Sequence, residues 1–162
     1  MTRKSRAMGL LVAAAAMASC SYNPNSYSCF STIDPTEGWA YGNTFVYMPE
    51  ITDSMAQGRL KLMVRHTNDY EFSNLWLEVQ SQQPADSGHV ELLTDTFCIS
   101  LADVYGNWRG SGSGATFESL DTLYSDFTLI NGAPLRLRHI MRPERVEGLE
   151  KIGFIFEPYS TE

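Results

Sequence analysis

The sequence is short of basic residues. It has 12 Lys and Arg against 19 Asp and Glu, a formal charge of −7 and a pI of about 4.9. Phosphate backbones demand a basic patch, so nucleic acid is not an expected partner. Broad electrostatic adhesion to anionic lipid is disfavoured for the same reason. Cysteine is scarce, at three. With no histidine at ligand spacing from them, the cysteines do not spell a zinc site. The apolar stretch at residues 7–18 is too short for a permanent membrane-spanning helix. No segment carries a long 3.6-residue period, which argues against a helical fold. The glycines of residues 106–114 are not followed by Gly-Lys-Ser/Thr, so they do not form a phosphate loop. No nucleophile, base and orienting group are spaced as a triad. The expectation is a protein with no metal, no cofactor and no catalytic residue.

The N-terminus is an address. Arg3, Lys4 and Arg6 precede the apolar core, which ends in Met17-Ala18-Ser19-Cys20. Small residues just before a cysteine resemble the lipobox of bacterial lipoproteins, in which cleavage before the acylated cysteine leaves a lipid anchor. An ordinary signal peptide cut near Ala18, with Cys20 incidental, is the competing reading. Two or three acyl chains anchor stably where one does not. Removing residues 1–19 leaves nine basic and 19 acidic residues, a net charge of −10, so lipid rather than charge must hold the chain at a membrane. The expected division is signal peptide 1–19, lipidated Cys20 with a polar tether to residue 32, and a domain over 33–162. The tether (Ser21 to Ser31, rich in Ser and Asn) shows no period, and about ten flexible residues reach on the order of 20 Å.

The domain pattern is clearest over residues 60–80. Leu60, Leu62 and Val64 alternate with Lys61, Met63 and Arg65; Leu75, Leu77 and Val79 alternate with Trp76, Glu78 and Gln80. A period of two places each apolar trio on one face of a sheet. Residues 66–74 between them are rich in side chains that bond their own backbone. Further strands are expected at 40–48, 89–99, 116–124, 135–141 and 151–157, with residues 51–58 as a connection and the glycine run as a surface loop. In one of these, Leu135, Leu137 and His139 share a face; in another, Ile152, Phe154 and Phe156 do. Short strands with regular turn signals specify an all-β antiparallel sandwich, jelly-roll-like, in one domain. Export permits a disulfide. Cys29 sits in the tether and Cys98 in a strand expected to be buried, so two free thiols are favoured.

Residues 65–77 (Arg-His-Thr-Asn-Asp-Tyr-Glu-Phe-Ser-Asn-Leu-Trp-Leu) resemble the core motif of the gliding-motility lipoprotein family GldH. The resemblance continues at Gly38-Trp39, Leu101-Ala102-Asp103, Gly106-Asn107-Trp108, Gly110-Ser111-Gly112, residues 139–142 and residues 149–154. It implies a cell-envelope lipoprotein of the Bacteroidota. It carries no catalytic residues. In that phylum, surface-exposed lipoproteins tend to have acids just after the lipidated cysteine; here none comes before Asp34. Ser21 also lacks the aspartate that retains lipoproteins in the inner membrane of other Gram-negative bacteria. The expected address is the outer membrane, lipid-anchored and facing the periplasm.

Two functions compete. One is a non-enzymatic accessory lipoprotein that contacts other envelope proteins. The other is a β-sandwich that binds glycan or another small ligand. Trp39, Tyr41, Tyr70, Trp76 and Tyr105 would be the platform for sugar, and Trp108, Tyr105, Tyr70 and Trp39 are the candidate contact residues. His66, Asp69 and His139 are the polar groups that could converge as catalyst or ligands. The structural reading is that both histidines end strands and bond backbone, with Asp69 capping the turn.

Replacing Cys20 by Ala is expected to abolish labelling by a fatty-acid probe and to leave the precursor uncut. Labelling that survives in Cys20→Ala contradicts the lipobox.

Overall fold

A computed structural model describes residues 23–86 and 88–160; Cys20 and the signal sequence lie outside the described residues. The strands are β1 (Tyr27–Thr32), β2 (Trp39–Ala40), β3 (Phe45–Tyr47), β4 (Met55–Thr67), β5 (Asn74–Pro84), β6 (Val90–Ser100), β7 (Ser111–Ser113), β8 (Thr116–Ile130), β9 (Leu135–His139), β10 (Arg145–Val146) and β11 (Leu149–Pro158). One sheet has the order β1-β11-β4-β8-β7 and the facing sheet β3-β9-β5-β6; β10 and β2 form a small third sheet. Every pairing is antiparallel. Setting aside the short β2, β7 and β10, this is the double Greek-key order of a jelly roll. Among the long strands described, only β5 and β6 form a hairpin; every other link between them crosses from one sheet to the other.

That crossing explains why the two trios face each other. Leu60, Leu62 and Val64 on β4 and Leu75, Leu77 and Val79 on β5 are all buried, in different sheets, with their apolar faces turned into one core. Leu135, Leu137 and His139 on β9 and Ile152, Phe154 and Phe156 on β11 complete it. Burying a side chain of this size contributes about 1.5–3 kcal/mol. Tyr47 ties the layers together: its hydroxyl donates to the Ile152 carbonyl at 3.1 Å, and its ring meets Phe154 edge-on at 5.3 Å. Burial pushes the Tyr47 phenol up to about 12.

Several expected boundaries change. Residues 27–32 belong to the sheet and not to the tether, because β1 pairs with β11 from Tyr27↔Phe156 to Thr32↔Lys151. Residues 23–25 are fastened as well. Asn25 Nδ2 donates to Asp53 at 2.7 Å, and the Asp53 N–H donates back to Asn25 at 3.0 Å. The strand expected at 40–48 splits into β2 and β3 around a turn at Tyr41-Gly42. Strand β4 begins at Met55, inside the expected connection, and β8 continues to Ile130 because its polar residues face outward or lie at a margin. Strand β9 stops at His139. The glycine run includes β7, where glycines admit close backbone: a Cβ on Gly110 would lie 2.1 Å from the Glu118 carbonyl oxygen. Cys98 is exposed, not buried, because it lies on the outer face of the marginal strand β6. Among the described residues, it and Cys29 are both free thiols.

The registers give the sandwich two ends. Tyr27, Gly58 and Pro158 lie at the end where the N-terminal segment enters, together with residues 48–54, 85–86, 88–89 and 131–134. The links at 33–44, 68–73, 101–115 and 140–148 gather at the opposite, distal end.

Gly153 has no room for a side chain, since a Cβ there would sit 2.1 Å from the Cys29 carbonyl oxygen. Gly153→Ala is expected to destabilise by at least about 2 kcal/mol through displacement of β1. Gly42→Ala, with nothing within 4 Å, should melt like wild type. Equal melting temperatures for the two variants would contradict the β1–β11 pairing.

Candidate functional site

The distal end is built on the arch between β4 and β5. Thr67 turns it: the Thr67 N–H donates to the Gly148 carbonyl at 2.8 Å, and its hydroxyl accepts the Asp69 N–H at 3.2 Å. The cap is therefore Thr67, and Asp69 is an exposed residue of the turn, not its cap. Tyr70 closes the arch by donating from its hydroxyl to the Asn74 carbonyl at 2.8 Å. Its ring is buried, and burial raises its phenol pKa strongly. Gly148, at φ 79°, lets the next link pass, since a Cβ there would meet the Tyr70 nitrogen at 2.4 Å.

Residues 101–109 rest on this arch. The N–H groups of Leu101 and Ala102 both donate to the Ser73 carbonyl, at 2.8 and 3.0 Å. Asp103 then organises a tight turn. Its carboxylate accepts the N–H groups of Tyr105 and Asn107 and the Asn107 side-chain amide, each at 2.9 Å. These bonds, the Asn107 side chain first, hold the Asp103 carboxyl below its ordinary pKa. Gly106 supplies the left-handed residue, at φ 83°. The turn projects Val104 and Tyr105, which are 92% and 87% exposed. Trp108 is the brace beneath. Its indole N–H donates to Asn68 at 3.0 Å, and its ring meets His66 edge-on at 4.5 Å, with Phe117 at 6.1 Å and Tyr70 at 6.3 Å. A self-bonded turn on an aromatic brace fixes an apolar pair in solvent, which is the form of a preorganised contact point.

The four candidate contact residues therefore separate. Tyr105 is presented to solvent, Trp108 is half-buried and supports it, Tyr70 lies in the core below, and Trp39 is buried in the same core, against Phe45 and His139. Trp39 donates from its indole to the Asn43 carbonyl at 2.9 Å and packs on Phe45 and His139. Val104, Asn68 and the Asp103 turn were not identified from sequence. The signal that could have revealed them is Asp103 four residues before Asn107, with Gly106 between.

The two histidines are fully buried and belong to opposite sheets. His66 Nδ1–H donates to the Thr67 carbonyl at 2.9 Å, and His139 Nε2–H donates to the Trp39 carbonyl at 3.0 Å. These are the backbone bonds expected of strand-ending histidines. His66 Nε2 and His139 Nδ1 have no hydrogen-bond partner among the described residues. Desolvation first, partly offset by the backbone bonds, lowers both pKa values and keeps both rings neutral. Asp69 faces solvent, so it does not join a buried histidine site. Among the described residues no group of three or more His, Cys, Asp or Glu is arranged to hold a metal ion.

Trp76 is 43% exposed on the outer face of β5. It lines a groove of about 450 Å³ with Phe72, Thr96, Ile140, Met141, Arg142 and Pro143. Tyr41 is also exposed, elsewhere, against the His139 edge.

These features define a jelly-roll domain entered at one end by its N-terminal segment and topped at the other by braced loops. Residues 26–155 match the family model of the GldH lipoprotein, and the chain belongs to that family. Membership makes it a gliding-motility-associated lipoprotein, membrane-anchored in the cell envelope. No curated protein matches the chain.

The histidines set a pH dependence. Their folded pKa values lie below the ordinary 6.5, so the unfolded chain binds more protons as pH falls through 6.5. Stability is then fully present above that pH and is lost below it, by up to about 1.4 kcal/mol per histidine per pH unit. The paired carboxylates Glu78 and Asp103 are shifted down and act in a lower window. Thermal melts are expected to fall between pH 7.5 and about 5.5; a flat melting temperature over that span contradicts buried neutral histidines.

Proposed function

We propose that this chain is a non-enzymatic accessory lipoprotein of the outer membrane, facing the periplasm, that acts through protein–protein contacts at its distal end. The observation that carries the reading is the Val104–Tyr105 pair, held in solvent by the Asp103 turn and braced by Trp108. An exposed aromatic on a rigid support is the kind of group that anchors an interface. The polarity of the fold supports it as well. The N-terminal segment, three residues beyond Cys20, is fastened at one end, so the lipid holds that end to the bilayer and the braced loops lie at the far end of the strands. The short span from Cys20 to Asn23 shortens the expected reach of about ten residues. The residues after Cys20 support the periplasmic leaflet, because no acid occurs there before Asp34.

The glycan reading has less support. Its platform residues are dispersed: Trp39 and Tyr70 are in the core, Tyr105 is at the tip, and Trp76 and Tyr41 are apart on other surfaces. The Trp76 groove is lined mainly by apolar side chains, with Thr96 and Arg142 the exceptions, whereas sugars demand many hydrogen-bonding groups.

A photo-crosslinking residue placed at Tyr105 in cells should capture a defined envelope protein. The same residue at exposed Tyr159, at the entry end, should not. Capture of polysaccharide alone, or equal capture from both positions, contradicts the proposal.

A further inference from the structure

Strand β6 closes one margin of its sheet, pairing with β5 from Val90↔Pro84 to Ser100↔Asn74 without a register shift. Its other side has no strand among the described residues. The direction of its free backbone groups follows from β5. The Trp76 N–H reaches Met141 and its carbonyl accepts from Ile140, both toward β9. Residues alternate sides along an antiparallel strand, so Leu75, Leu77, Val79 and Ser81 face β6 and bond Ile99, Phe97, Asp95 and Leu93. Val90, Leu92, Thr94, Thr96 and Cys98 are then left with N–H and C=O groups aimed outward. Natural edges are blunted by lysine, proline, bulges or brevity. Strand β6 has none of these over 11 residues, and it exposes Val90 and Leu92 at 54% and 66%.

We propose that this edge pairs with β6 of a second copy, antiparallel, about a two-fold axis through Thr94. An outward-facing residue can sit opposite itself, so one edge supplies both donors and acceptors and the assembly closes at two. Centred on Thr94, the pairing places Val90 opposite Cys98, Glu91 opposite Phe97, Leu92 opposite Thr96 and Leu93 opposite Asp95. No acid faces an acid. A centre on Leu93 would set Glu91 against Asp95, and a centre on Asp95 would set that carboxylate against itself, which like-charge repulsion disfavours. The two sheets of β3-β9-β5-β6 become one continuous sheet. The two N-terminal segments leave from opposite ends of it, so both reach one bilayer when the strands lie along the membrane. With each mature chain at −10, added salt should strengthen the pairing, whereas it would weaken capture of a basic strand from another protein.

The test uses the full-length lipidated protein in its own membranes. Val90→Cys brings a thiol opposite the native Cys98 of the second copy, where hydrogen-bonded partners lie about 5.5 Å apart at Cα and a disulfide can close. Mild oxidation should give a dimer on a non-reducing gel, lost when Cys98→Ser is added. Thr94→Pro removes an outward N–H and should abolish the dimer; an edge position tolerates proline. Should Thr94→Pro fail to fold, Leu92→Lys serves in its place, charging the edge from solvent. Absence of the dimer in Val90→Cys overturns the proposal. So does a dimer that persists in the folded blocking variant, or one that forms equally from Met48→Cys, which is exposed at a distance from β6.

Discussion

The structure depends on one packing constraint: apolar strand faces from two sheets must meet across a single core. Leu60, Leu62 and Val64 have no other layer against which to bury, and neither do Leu75, Leu77 and Val79. Because consecutive strands lie in opposite sheets, the chain must cross between layers at almost every turn. Each crossing exposes backbone polar groups that local bonds must satisfy. The Asp103 turn, the Thr67 arch and the Tyr70 hydroxyl on Asn74 are such bonds.

The functional end follows from that constraint. The strand directions place the links at 33–44, 68–73, 101–115 and 140–148 together, and the N-terminal segment at the other end. Loops can be long there because the sandwich beneath is fixed. His66 connects the two levels. It closes β4 inside the core, bonds the first carbonyl of the arch, and offers its ring to Trp108. A neutral, buried ring suits this position, since a charged one would be costly among Tyr70, Trp108 and Phe117. The brace under Tyr105 is thus an extension of the core, and contact at the tip would not require ordering a loose loop.

Much of this was legible in the sequence where side chains alternate. The inward faces of β4, β5, β9 and β11 follow a period of two and lie where expected. Strand β1 was hidden because what holds it is backbone pairing to β11, and Ser28 and Ser31 disguise its alternation. Cys98 read as buried because its neighbours Phe97 and Ile99 are apolar, but they point inward while Cys98 points out. Trp39 and Tyr70 resembled surface anchors because each has a polar tip. Here both tips bond nearby carbonyls, those of Asn43 and Asn74, and the rings can be buried. The same ambiguity concealed Trp108, whose indole N–H is satisfied by Asn68. Tyr105 could be distinguished from them only once the Asp103 turn set its direction.

The central claim is that the distal tip is the face turned toward a protein partner. Hydroxyl-radical footprinting tests it directly, by comparing the purified lipoprotein with the same protein in its native envelope. The account predicts that modification of Tyr105 falls in the envelope while that of Trp76 and Tyr159, exposed on other surfaces, stays the same. Unchanged modification of Tyr105 with protection of Trp76 would contradict it.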